Sequence, residues 1–95
     1  MKIRLTDFEI KTIKELAKNI FGECEVYIFG SRVNLSKKGG DIDIFIIPKE
    51  KTNLFEKKIK LASKLENLLG KPVDVVVSKN RNRPIEQQAL KGVKI

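Results

Sequence analysis

Residues 29–46 read FGSRVNLSKKGGDIDIFI, and the reading of Asp41 and Asp43 within this stretch decides the fold. The two aspartates stand one residue apart at the head of an apolar run that otherwise reads as core. Residues two apart in a strand point to the same side, so both carboxylates face one way while Ile42 turns the other. Ionised carboxylates are costly to bury unless something positive meets them. Either the pair is solvated at a strand end, or it holds a cation.

Upstream of the pair, Glu25 to Phe29 is short, β-branched and aromatic, and reads as a strand that breaks at Gly30-Ser31. Residues 32–40 form a polar connection with a double glycine. Asp41 to Ile47 is the second strand, closed by Pro48. Before these strands, Thr6-Asp7-Phe8-Glu9 is a capping box, with Leu5 and Ile10 placed for a hydrophobic staple. Phe8, Ile10, Ile13, Leu16, Ala17 and Ile20 then recur at helical spacing until Gly22. After them, Asn53 with Glu56 offers a second cap. Leu54, Phe55, Ile59, Leu61, Ala62, Leu65, Leu68 and Leu69 make a broad apolar stripe that Gly70 stops. Val73 to Val77 reads as a third strand. Pro84 starts a last helix to about Leu90, with Gly92 as its stop.

The order is therefore α-β-β-α-β-α. If Gly30-Ser31 and Asp41-x-Asp43 serve one site, the end of the first strand lies beside the start of the second, and the two are antiparallel. The long helix between the second and third strands serves as a crossover, so those strands run parallel. Asp74 then arrives at the same edge as Asp41 and Asp43. The expected fold is α/β in the α+β sense: a small mixed sheet with helices packed on it, in a single domain spanning residues 1–95.

Bulk composition narrows the chemistry. Ninety-five residues hold one core and leave no room for a second lobe. The absence of histidine removes Ser-His-Asp and Cys-His catalysis and the usual zinc sites. No apolar run reaches the length of a membrane span, and the N-terminus lacks the apolar stretch of a signal peptide. With the single Cys24, this points to a cytoplasmic protein. The net charge of +8 invites a nucleic-acid reading, but Lys supplies most of it and reads as a solvated surface. Strand-binding proteins interleave basic residues with exposed aromatics. Here Phe8, Phe21, Tyr27, Phe29, Phe45 and Phe55 all fall in elements expected to build the core, so direct nucleic-acid binding is not expected. Tyr27 and Cys24 read as packing residues, and Arg81 and Arg83 as surface charge.

Two adjacent carboxylates repel one another, and a hard divalent cation removes that cost. Mg²⁺ takes one or two carboxylates and completes its shell with water and phosphate oxygens. Gly30 lets the backbone pass close to an anion, and Ser31 adds an N–H and a hydroxyl, so the turn is a candidate phosphate cradle. Arg32 either joins it or faces solvent. Asp74 lies among valines, which suggests a strand carrying one expensive residue. A cradle, a metal-holding pair and a third acid are equipment for phosphoryl or nucleotidyl transfer.

Gly30-Ser31, nine residues, Asp41-Ile42-Asp43 and a lone aspartate in the next strand resemble the signature of the DNA polymerase beta-like nucleotidyltransferase superfamily. The small size and the C-terminal RPIEQQALKGVKI resemble its minimal nucleotidyltransferase branch. The resemblance implies the nucleotidyltransferase fold and transfer of a nucleoside monophosphate, typically AMP from ATP, to a hydroxyl, with Mg²⁺ (two ions) as cofactor. It assigns Gly30, Ser31 and Arg32 to the triphosphate. Asp41, Asp43 and Asp74 are assigned to catalysis and metal binding, with Asp74 helping to deprotonate the attacking hydroxyl. It also implies an antitoxin role: a helical HEPN-domain toxin as partner, silenced by AMP transfer to a tyrosine. Many members read G-S-R-A-R-G; here Asn34 replaces the second arginine. Two other readings stand beside this one: a catalytically weak binding module that masks a helical partner, and a basic nucleic-acid-binding domain.

Overall fold

The computed structural model describes residues 4–30 and 41–95. The elements run α1 (Asp7–Phe21), β1 (Cys24–Phe29), β2 (Ile42–Pro48), α2 (Leu54–Leu69), β3 (Val73–Val77), α3 (Pro84–Leu90) and β4 (Val93–Lys94). The sheet order is β3-β2-β1-β4. As expected from the sequence, β1 and β2 are antiparallel and β2 and β3 parallel. β3 forms one edge of the sheet.

Strand alternation divides the core between the two faces. Val26, Ile28, Ile42, Ile44, Ile46, Val73, Val75 and Val77 meet Ile13, Ala17 and Phe21 of α1 and Leu61 and Leu65 of α2. On the other face Phe29, Phe45 and Ala89 form a smaller cluster, with Tyr27, Ile47, Val76 and Leu90 packed against it. Thus, among the described residues, α1 and α2 cover one face, and only the short α3 covers the other. Asp43 and Asp74 lie on this thinner face, each two residues before a member of that cluster, Phe45 and Val76.

The capping box of α1 is formed. Thr6 Oγ1 accepts from the Glu9 N–H at 3.1 Å, and Glu9 Oε1 accepts from the Thr6 N–H at 2.9 Å. The same Glu9 receives Lys71 Nζ at 2.6 Å on its other oxygen. Burial alone would push the Glu9 carboxyl up, but Lys71 and Thr6 together hold it below its ordinary value. The first turn of α1 is thereby tied to the segment that enters β3, and α1 and α2 run antiparallel.

Four sequence expectations change. Asn53 does not cap α2 with its side chain: it adopts a left-handed conformation (φ 52°) and makes no cap hydrogen bond. Phe8 and Phe55 are not core residues, being 68% and 72% exposed. They lie in the expected helices, but their side chains stay open to solvent. Arg83 is more than surface charge, since it pairs with the buried Glu86 at 3.2 Å. Finally, the chain does not end on α3. Gly92 passes so close to β1 that a Cβ there would lie 2.2 Å from the Ile28 carbonyl oxygen, and Val93–Lys94 then pairs with Ile28 and Tyr27. Among the described residues no helix is long and apolar enough to cross a membrane.

Candidate active site

Two registers assemble the site. Asp43 of β2 stands opposite Phe29 of β1 on one side and opposite Asp74 of β3 on the other. Like charges directly opposite one another destabilise a sheet, so this pairing works against the fold and calls for a functional explanation. The end of β1 delivers Gly30 to the same place. Gly30 has φ 73°, and a Cβ there would lie 2.1 Å from Asp43 Oδ2. Only glycine provides both that backbone conformation and the space that the Asp43 carboxylate fills.

Asp43 is half-buried, while Asp41 and Asp74 are exposed. Burial first, and then the negative charges of Asp74 and Asp41, push the Asp43 carboxyl above its ordinary value. The three acids expected to converge therefore lie within electrostatic reach of one another. The expectation that Asp74 is a costly buried charge does not hold. Val73, Val75 and Val77 alternate with it toward the core, and its own side chain faces solvent.

The start of β3 is held from several directions. Ile42 N–H donates to the Pro72 carbonyl at 2.9 Å, and Val73 N–H donates to Glu66 Oε2 at 2.9 Å. Together with the Glu9–Lys71 pair, these contacts bracket the residue just before Asp74. Sequence reading missed Glu66, because a glutamate near the end of a helix reads as surface; no local pattern reveals that it caps the next strand. Ser31 and Arg32, and the departure at Asn34, lie outside the described residues.

The donor set is all carboxylate oxygen, which suits a hard cation and none of the soft ones. Among the described residues no three such side chains already close around one point. Mg²⁺ does not require such a cage, since it keeps waters and takes phosphate oxygens in preference to an all-protein shell. A cluster of like charges at the starts of two adjacent strands, with Gly30 beside it, fits that group.

A sequence profile of the family described as "Polymerase beta, Nucleotidyltransferase" matches residues 10–95. The chain belongs to the polymerase beta nucleotidyltransferase family. Several solved structures share the fold of this nucleotidyltransferase. The crystal structure of the MntA–HepT toxin–antitoxin is similar over 94% of this chain and 70% of its own, at 22% identity and a TM-score of 0.72. A tri-AMPylated Shewanella oneidensis HEPN toxin in complex with MNT antitoxin matches at 24% identity and a TM-score of 0.67, over 93% of this chain and 68% of its own. An MntA–HpeT mutant with two Asp→Glu changes, two positions apart, matches at 26% identity and a TM-score of 0.70, over 90% of this chain and 70% of its own. None of the curated proteins matches the chain.

Proposed function

We propose that this nucleotidyltransferase moves AMP from ATP, with Mg²⁺, to a tyrosine hydroxyl of a HEPN-type toxin and acts as its antitoxin. The observation that carries the reading is the register that sets Asp43 between the end of β1 and Asp74. Its neighbours in fold support the choice of partner, since they are antitoxins seen with HEPN toxins, one of them tri-AMPylated.

In this reading Asp41 and Asp43 hold the cation, and Asp74 completes the set. When bound, Mg²⁺ supplies positive charge to the phosphate oxygens. The Gly30-Ser31 turn receives the triphosphate through backbone N–H groups and the Ser31 hydroxyl. Asp74, exposed at the strand edge, accepts the proton of the incoming tyrosine hydroxyl. The tyrosine oxygen bonds to the α-phosphorus as the bond to the bridging oxygen breaks, and pyrophosphate leaves.

The test is single-turnover AMP transfer from labelled ATP to the HEPN-type protein, with ATP affinity measured on the same folded sample. Asp41→Asn/Asp43→Asn should abolish transfer. Asp74→Asn should keep ATP binding and slow transfer by the roughly 10²–10⁴-fold that a positioned base contributes. Transfer at the wild-type rate in the double variant overturns the assignment.

A further inference from the structure

At the end of β3 away from Asp74, the surface is unlike that around the site. Leu54, Phe55, Val76, Val77 and Ile85 line a hollow of about 140 Å³ between the first turn of α2, the end of β3 and the start of α3. Its polar rim is Lys58, Lys79 and Arg83. Arg83 is partly neutralised by Glu86, so the rim stays net positive. Phe55 and Ile85 are exposed at 72% and 37%, and Ile59, one helical turn beyond Phe55, at 50%. Ile59 continues the apolar strip along α2, flanked by Lys60 and Lys64 and, nearer the hollow, by the single acid Glu56. Isolated exposed apolar residues are ordinary. An apolar hollow that continues into an i, i+4 strip bordered by lysines is a shape for receiving a helix.

We propose that this groove anchors an acidic amphipathic helix of a protein partner, one apolar side chain seated in the hollow and its acidic flank on the lysines. Volume and charge select this occupant. The hollow holds about five waters' worth of space, which suits a single side chain. Its floor is mostly branched aliphatic, whereas base stacking needs ring faces. A second copy of this chain would bring a net charge of +8 against a positive rim. The groove lies three residues along β3 from Asp74, about 10 Å, so a helix of about ten residues, some 15 Å long, spans both. The identity of the partner rests on the proposed function: it is the protein whose hydroxyl is modified, held at one end of the sheet while the reaction proceeds at the other.

The experiment uses the full chain and two probes: a purified HEPN-type protein, and a blocked Glu/Leu helical peptide with its Lys/Leu counterpart. Phe55→Ala, Ile85→Ala and Lys79→Glu alter exposed side chains, so the melting temperature should hold. Each should weaken binding of the HEPN-type protein, Phe55→Ala by at least about tenfold. KM for the protein acceptor should rise while kcat at saturation stays unchanged. The Glu/Leu peptide should compete, and the Lys/Leu peptide should not. The proposal is overturned by unchanged affinity in all three variants, by failure of both probes to bind the wild-type chain, by a self-dimer that these substitutions dissociate, or by competition from RNA instead of the acidic peptide. If binding depends on the groove but no AMP is transferred, the groove stands and the transfer reading falls.

Discussion

A single methyl group at Gly30 would sit where the Asp43 carboxylate now lies, on a backbone that side chains rarely adopt. Gly30→Ala should cost about 1–2 kcal/mol from the left-handed backbone alone and displace Asp43, lowering AMP transfer at least about tenfold. Gly70→Ala is the control: φ is 66° but a Cβ there meets nothing, so calorimetry should show a similar loss of stability with activity retained. Glu86 tests the opposite end of β3 from Asp74. It is fully buried, and burial would raise its carboxyl. The Lys79 and Asn80 N–H groups, the Ser78 hydroxyl and Arg83 overcome that and hold it below its ordinary value. Its contribution to stability is therefore present above the unfolded-state value, about 4.3, and is lost as pH falls through the lower folded value. Glu86→Gln places an amide N–H₂ among donors and should cost about 2–4 kcal/mol at neutral pH. Its acid-unfolding curve should also be shallower than that of the wild type. In the sequence, Glu86 looked like any helix-surface glutamate. Its hydrogen-bond partners are two backbone N–H groups and the Ser78 hydroxyl, six to eight residues away, and no side-chain periodicity encodes them.

At the scale of elements, legibility followed locality. The α1 cap could be read because both hydrogen bonds close within three residues. The strand pairing could be read because the motif demanded it: once Gly30 and Asp43 had to meet, antiparallel β1 and β2 and a crossover to β3 followed. β4 could not be read, because two residues carry no period. Its marker was Gly92, which resembled a plain helix stop while its actual constraint is close approach to β1. Gly92→Ala should push the last residues off Ile28, costing about 1–3 kcal/mol by overpacking, and hydrogen exchange at Val93 and Lys94 should rise most. The α2 stripe was read too broadly. Leu61 and Leu65 face the core, but Phe55 and Ile59 form a separate ridge open to solvent. Apolar spacing reports a face without saying what lies opposite. The Ser31 and Arg32 assignments rest on the motif and remain part of the proposal.

Across the whole molecule, charge acts over distances comparable to its 36 × 30 × 19 Å extents. At about 0.01 M salt the Debye length is about 30 Å and the full +8 attracts an anion; at about 0.15 M it is about 8 Å and only nearby lysines count. Association with ATP and with an acidic partner should therefore slow more than tenfold between these conditions, measured by stopped flow, while kcat at saturation changes little. The placement of β3 at the sheet edge has a separate consequence. Among the described residues its outer backbone groups pair with no strand, and Asp74 is the one charge in Val73–Val77. Exposed edges that are apolar and uncharged template aggregation. The acid proposed to take a proton from the acceptor should therefore also keep one chain from adding to the next. An inactive form intended for concentrated solution is therefore better made at Asp41, which leaves that gatekeeper in place.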